Sequence, residues 1–154
     1  MSEIRTVMKE DLEGLREVLD TIELFPSVAL DEMTSDYFNN PNSEDIWFTK
    51  IEDGKPISIG YCGPEKLTDR TFNLYAIGVK SDIQGKGIGT EMMAFIENRL
   101  KQKGTRILIV DTSGTDDFQL TRKFYENLGY EKEAVIRDFW EEGDDKIVYW
   151  KKLN

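Results

Sequence analysis

The spacing of apolar residues predicts a helical segment near the start of the chain. Over residues 10–22 they recur at steps of three and four, which is the period of a helix packed on one face. Phe25-Pro26 ends this helix, and a second, less regular helix is predicted over residues 30–38. A short first strand is predicted before them, at residues 4–7.

The pattern then changes to short runs that are rich in β-forming residues. These runs predict strands at residues 46–51, 56–62 and 71–79, and Asp53-Gly54 forms a hairpin turn between the first two. Because the connections are short, we expect consecutive strands to pair as an antiparallel meander.

Helical spacing returns after Gly89. Apolar residues four apart between Met92 and Leu100 predict a helix that Gly104 ends. The run that follows, residues 106–110, is typical of a parallel strand buried on both faces.

A last helix and a hairpin complete the predicted fold. Leu120, Phe124 and Leu128 form a helical stripe expected to face the core, and Gly129 is the expected C-cap. Final strands are predicted at residues 130–136 and 146–151, around the acidic turn 138–145. This order predicts an α/β fold with a mixed, mostly antiparallel sheet, one central parallel strand pair and about four flanking helices.

Length and composition agree with one domain over residues 1–154. The chain is 39% apolar and 32% charged, and it is too short for two sizeable cores. We find no signal peptide and no apolar stretch near the ~20 residues of a membrane span. We therefore expect a cytoplasmic protein without a membrane partner.

Charge and side-chain chemistry exclude several classes of function. The net charge of -10 argues against a nucleic-acid partner and favours a cationic acceptor, although most surface charge is simply solvated. The chain has no histidine, the usual general base and zinc ligand, and no metal site is expected. Cys62 is the only cysteine, and its apolar neighbours predict a buried residue rather than a nucleophile.

Three glycines at alternate positions connect the strand that ends at Val79 to the next helix. Gly85, Gly87 and Gly89 let the backbone turn tightly and approach a ligand closely. Free N–H groups at the helix start, the helix dipole and Lys86 all favour an anion. The loop therefore predicts a phosphate site rather than an unliganded connection.

The glycine spacing differs from two common phosphate motifs. A P-loop requires a lysine directly before Thr90, where this chain has Gly89. A dinucleotide fingerprint requires G-x-G-x-x-G next to the strand, although Asp111 lies about twenty residues on, where a ribose-binding acid would be expected. A dinucleotide-binding oxidoreductase is therefore the weaker alternative.

Two motifs, in order, resemble the GNAT superfamily of N-acetyltransferases. Gln84-x-x-Gly87-x-Gly89, after a strand that ends at Val79, resembles the acyl-CoA loop of that family. Residues 122–130 resemble its later motif, an aromatic-rich helix that includes Tyr125 and ends at Gly129. The order of elements agrees over nearly the whole chain.

This resemblance implies an acyl-CoA site, with acetyl-CoA as the expected donor. The strand ending at Val79 and the strand at 106–110 would splay apart, and backbone groups of Ile77 and Val79 would bind the pantetheine arm. A bulge at Gly78 would free such groups. The pyrophosphate would be held by Gln84, Gly85, Lys86, Gly87, Gly89 and Thr90.

The resemblance also implies catalytic roles. Tyr125 is similar in position to the general acid that protonates the departing thiolate. Asn73 stands where some members carry a catalytic glutamate, and an amide can orient a water or the amine but cannot take a proton. Asp111 and Asp138 are the alternative candidates for the base.

The acidic hairpin is either an acceptor wall or a solvated turn. As a wall, Trp140 would stack on the acceptor and Asp138 would attract its ammonium. The leading hypothesis is acetyl transfer from acetyl-CoA to a primary amine of a small molecule. A non-catalytic acyl-CoA-binding module of the same fold is the alternative, and the sequence leaves a homodimer open.

Overall fold

A mixed eight-stranded sheet runs through the computed structural model, which describes all of residues 1–154. The strands are β1 (Ser2–Thr6), β2 (Ile46–Glu52), β3 (Lys55–Pro56), β4 (Ser58–Pro64), β5 (Thr71–Val79), β6 (Ile107–Ser113), β7 (Glu131–Glu141) and β8 (Asp144–Lys152). Their order is β1-β2-β4-β5-β6-β8-β7, with β3 paired to β2. Only β5 and β6 are parallel, which confirms the predicted sheet.

Helices cover both faces of the sheet. They are α1 (Leu12–Leu19), α2 (Leu30–Met33), α3 (Ser35–Asn39), α4 (Ile88–Gln102) and α5 (Gln119–Asn127). The predicted second helix is divided at Thr34, whose hydroxyl donates to the carbonyl of Leu30 at 2.9 Å; such a bond competes with the helical ladder. None of the helices combines the length and apolarity that crossing a bilayer requires.

Two apolar clusters hold the layers together. The larger lies between the sheet and the pair α4 and α5, where Met92 and Leu100 of α4 are fully buried as predicted. The smaller lies on the opposite face, beneath α1 and α2. The adjacent residues Trp47 and Phe48 of β2 belong to opposite clusters and are both 0% exposed, so this strand is buried on both sides.

The apolar stripe of α5 was predicted to face the core, and this holds for Phe124 and Leu128, which are half-buried and pack against the larger cluster, but not for Leu120. Leu120 is 83% exposed, whereas Tyr125 is only 4% exposed and packs against Tyr130 and Tyr149. Leu120 and Phe124 also line a cavity. A periodic pattern indicates which face of a helix is apolar. It does not indicate whether that face packs on the core or lines a cavity.

The parallel pair β5 and β6 separates halfway along its length. Their ladder begins at Thr71 and Ile107 and ends at Leu74 and Val110. Beyond this point β5 continues along β4 and β6 continues along β8. The two strands therefore leave a gap in the middle of the sheet, as the family resemblance implied.

A bulge accompanies this separation, at a different place from the one predicted. Tyr61 pairs with Ala76 and Cys62 pairs with Leu74, so Tyr75 is the extra residue of β5. Gly78, the predicted bulge, pairs regularly with β4. A Cβ at this position would lie 2.5 Å from Cδ1 of Ile22, so the α1–α2 loop packs closely on Gly78.

A second glycine supplies a test of the core. A Cβ at Gly60 would overlap the ring of Phe48, which is fully buried and cannot move aside. We expect Gly60→Ala to lower the free energy of unfolding by about 1–3 kcal/mol in urea denaturation, the usual cost of overpacking. In a Phe48→Leu background the same change should cost clearly less, and equal costs in both backgrounds would contradict the clash.

The single thiol supplies a test of burial. Cys62 is 0% exposed, and burial raises the pKa of its thiol to about 12. Because the thiolate is the reactive form, we expect no reaction with Ellman's reagent at pH 8 while the chain is folded. Guanidinium should expose one thiol per chain; rapid reaction of the native protein would overturn this placement.

Candidate functional site

The gap between β5 and β6 opens into two adjoining cavities of about 550 and 560 Å³. We call the first the sheet cavity, because residues 74–79 of β5 and 110–113 of β6 line it. We call the second the loop cavity, because residues 83–90, except for Lys86, line it. The two share a wall, to which Ile77, Val79, Gln84, Thr121 and Tyr125 contribute.

Backbone groups of β5 face this gap. Lys80 donates its N–H to the carbonyl of Ile57, and in an antiparallel ladder every second pair is hydrogen-bonded. The bonded pairs therefore include Gly78 with Ile59, and the groups of Ile77 and Val79 point away from β4. Since β6 has already separated there, these groups have no strand partner.

The glycine loop carries a row of free amides. None of the backbone N–H groups from residue 84 to residue 90 donates a hydrogen bond within the chain. Gly85 and Gly87 adopt φ values of +79° and +83°, which glycine accepts without strain. α4 begins at Ile88 and has no side-chain cap, so its N-terminus can bind an anion.

The side chains around the loop fix its conformation, but they bring no lysine or arginine into the cavities. Gln84 donates through Nε2 to the carbonyl of Val79 at 2.9 Å and so ties the loop to the end of β5. Thr90 and Gly89 line the loop cavity, but Lys86 is exposed and does not line either cavity. The acidic Glu91, close by on α4, is paired with Lys50 at 2.7 Å.

Tyr125 lies between the two cavities. The residue is 4% exposed and its hydroxyl makes no hydrogen bond within the chain, yet that oxygen is not among the fully enclosed unpartnered atoms. The hydroxyl therefore retains access to the cavity. Burial raises the pKa of Tyr125, so the side chain stays a neutral proton donor over the working pH range.

Asn73 does not line the site itself, but it contacts Asp111, which does. It is 3% exposed and lines neither cavity; its Nδ2 donates to Glu65 at 2.7 Å and to Oδ2 of Asp111 at 3.3 Å. Lys146 also lies 3.3 Å from Oδ2 of Asp111. The remaining Oδ1 atoms of Asn73 and Asp111 are enclosed and have no hydrogen-bond partner.

Asp111 itself lines the sheet cavity. An enclosed carboxylate oxygen without a donor is unfavourable unless a ligand or water supplies one. Of the two base candidates named from the sequence, Asp111 is therefore the one that the fold brings to the cavity.

The acidic hairpin brings one of its two predicted residues, Trp140, to the cavity, but not Asp138. Trp140 lines the sheet cavity and donates its indole N–H to the carbonyl of Thr112 at 3.3 Å. Asp138 lines neither cavity; it has φ +55°, and its carboxylate accepts the N–H of Gly143 at 3.0 Å. The strands extend further than predicted, so the turn shrinks to residues 142–143 and Asp144 lines the cavity instead.

Two further residues of the cavity had no role in the sequence predictions. Glu23 comes from the loop after α1, and no periodicity or motif marks it. Thr121 of α5 lies between the apolar residues of that helix and lines both cavities. Their positions depend on how distant elements meet, which the spacing of residues does not encode.

Comparison with known proteins identifies relatives of this chain. The family model of the acetyltransferase (GNAT) domain matches residues 42–132, more than half of the chain. An uncharacterised N-acetyltransferase of Methanocaldococcus jannaschii is 29% identical over 83 residues, which are 52% of this chain and 51% of that protein. The aligned region thus spans about half of that relative.

Solved structures share the fold over its full length. A GNAT-family protein of Desulfovibrio desulfuricans is 28% identical, with a TM-score of 0.92 over 100% of both chains. A Salmonella typhimurium protein solved with acetyl-CoA is 16% identical, with a TM-score of 0.81 over 100% of this chain and 95% of that one. The second likeness concerns the fold alone.

Proposed function

This chain belongs to the GNAT acetyltransferase family, and on that basis we propose that it moves an acetyl group from acetyl-CoA to a primary amine of a small molecule. One observation carries the proposal: free loop amides, free strand groups, Tyr125 and Asp111 follow one another along two adjoining cavities. Because one sheet continues from β1 to β7, we propose that residues 1–154 act as one domain.

The chain offers acetyl-CoA a row of backbone donors. The amides of residues 84–90 would hold the pyrophosphate, helped by the dipole of α4. Ile77 N–H, Ile77 C=O and Val79 N–H would bind the pantetheine arm, while the Val79 carbonyl is already used by Gln84. When bound, acetyl-CoA supplies an acetyl thioester, and the shared wall of the cavities is the place where it would meet the acceptor.

Proton transfer is assigned to two side chains. Asp111, which lines the sheet cavity, would take a proton from the acceptor's ammonium and leave a neutral amine to form the new C–N bond. Tyr125 Oη would donate a proton to the thiolate that bound acetyl-CoA releases. Tyr125 would regain its proton from the nitrogen of the new amide, and Asp111 would return its own proton to solvent.

A thiol-release assay tests this proposal. Acetyl-CoA should stabilise the protein against thermal unfolding, whereas NAD should not, and a panel of primary amines should release free CoA. Stabilisation by acetyl-CoA without release of thiol by any amine would instead favour the non-catalytic module. Stabilisation by NAD alone would favour the oxidoreductase.

The role of Tyr125 predicts the effect of removing one oxygen. Tyr125→Phe should lower kcat by about 10²–10⁴, the usual contribution of a general acid, and leave the Kd for acetyl-CoA within about twofold. Stability should be unchanged, because the hydroxyl has no partner within the chain. Steady-state kinetics and calorimetry measure the two effects.

Tyr149→Phe is the matched control for this variant. Tyr149 is equally buried, but its hydroxyl donates to Glu126 at 2.8 Å and it lines neither cavity. This change should lower stability and spare kcat. Full activity of Tyr125→Phe would remove Tyr125 from the mechanism.

The role of Asp111 predicts a pH-dependent defect. An alkyl ammonium has a pKa near ~10.4, so at pH 7 nearly every acceptor must lose a proton before it reacts. Asp111→Asn should lower kcat/KM by about 10²–10³ at pH 7, and the deficit should shrink toward pH 10 as free amine accumulates.

Asp116→Asn provides the control, because Asp116 is exposed and lines neither cavity. It should follow the native pH profile. A deficit of Asp111→Asn that stays constant from pH 7 to pH 10 would indicate a packing defect rather than a lost base.

A further inference from the structure

The sheet cavity has an unbalanced charge. Three of its lining residues are acidic, namely Glu23, Asp111 and Asp144, and none is lysine or arginine. Of the cations beside it, Lys146 contacts Asp111 and Arg122 donates to the carbonyls of Ser113 and Thr115. Two carboxylates at the cavity therefore have no cationic partner within the chain.

One of the two is held in a fixed position. Ser113 donates its hydroxyl to Oδ1 of Asp144 at 2.6 Å, which leaves Oδ2 free. Ser113 and Asp111 are two residues apart on β6, so their side chains leave the same face about 7 Å apart along the strand. The carbon chain of a short diamine could therefore span the separation between Asp144 and Asp111, the carboxylate that we assign to the reacting amine.

The other carboxylate, Glu23, belongs to the loop after α1, which contacts the end of β5. Glu23 makes no hydrogen bond or ion pair, but its neighbour Ile22 packs on Gly78 and Thr21 accepts the N–H of Ser81 at 3.1 Å. The loop thus brings Glu23 to the sheet cavity.

Aromatic faces complete the wall. Tyr75, Phe118 and Trp140 line the same cavity and are 48%, 39% and 48% exposed. Exposed aromatic faces beside carboxylates form a favourable site for an organic cation.

Resting on the proposed function, we propose that the acceptor is a small amine with a second positive charge. Its reacting nitrogen contacts Asp111, and its second cation lies near Asp144, with Glu23 and the face of Trp140 around it. A monoamine leaves both carboxylates without a cation, and an acceptor that carries an anion meets repulsion there.

Three probes of equal chain length test this inference. Cadaverine carries a second ammonium, pentylamine carries a methyl group in its place, and 5-aminovalerate carries a carboxylate. We expect kcat/KM with acetyl-CoA to be about tenfold higher for cadaverine than for pentylamine, and lowest for 5-aminovalerate. The preference should weaken in high salt, which screens the charges.

Charge-removing variants locate the second cation. Asp144→Asn keeps an oxygen for the Ser113 hydroxyl and should reduce the ratio of cadaverine to pentylamine activity several-fold, mainly through the KM for cadaverine. Glu23→Gln should reduce it less, and the double variant should bring it close to one. Asp117→Asn removes an equal charge from an exposed residue outside both cavities and should keep the native ratio.

Binding without turnover separates this inference from the proposed function. Calorimetry of the CoA-saturated protein should give a lower Kd for cadaverine than for pentylamine, and that difference should be lost in the double variant. Equal affinities or equal kcat/KM values would overturn the inference while leaving acetyl transfer intact. Tighter binding of cadaverine without thiol release from any amine would overturn the proposed catalysis and leave the acceptor site.

Discussion

The ladder between β5 and β6 ends at Leu74 and Val110, and the site depends on this one interruption. Backbone groups inside a fold are nearly always paired, so an unpaired strand edge requires a covering element or a ligand. Here α5 covers the gap from one side, and the groups of Ile77 and Val79 remain open to the cavities. The backbone groups that we propose to bind the cofactor are thus the ones that the sheet itself leaves without partners.

Recognition through backbone groups reconciles an anionic cofactor with an acidic chain. With a net charge of -10, long-range attraction works against a phosphorylated ligand. Free amides and the N-terminus of a helix bind an anion at short range, within the first helical turn. The net charge of the rest of the chain therefore weakens this binding little. Lys86 lies outside the cavity and contributes at most a screened field. The same acidity then favours a cation at the other cavity.

The parts that could be predicted from the sequence are those with local causes. The strand Thr71–Val79 was predicted from its β-rich composition, and the glycine loop from the ability of glycine to adopt positive φ values. Both properties depend only on residues that are close in the sequence. The bulge at Tyr75 could not be predicted, because register is fixed between strands. Likewise, Glu23 and Asp144 meet at one cavity only through the tertiary fold. The family resemblance supplied Tyr125, which is not one of the residues of the predicted apolar stripe.

The burial of Tyr125 constrains the order of proton movements in the proposed mechanism. An ordinary thiol has a pKa near ~8.5, and burial raises the pKa of Tyr125 above that of a free phenol. Complete transfer from the phenol to a free thiolate would therefore be uphill. Tyr125 first acts as a hydrogen-bond donor to the developing charge, and its proton moves fully only as the nitrogen releases one to replace it. In the proposed mechanism, the nitrogen that Asp111 deprotonates therefore also restores the Tyr125 hydroxyl, and both side chains line the sheet cavity.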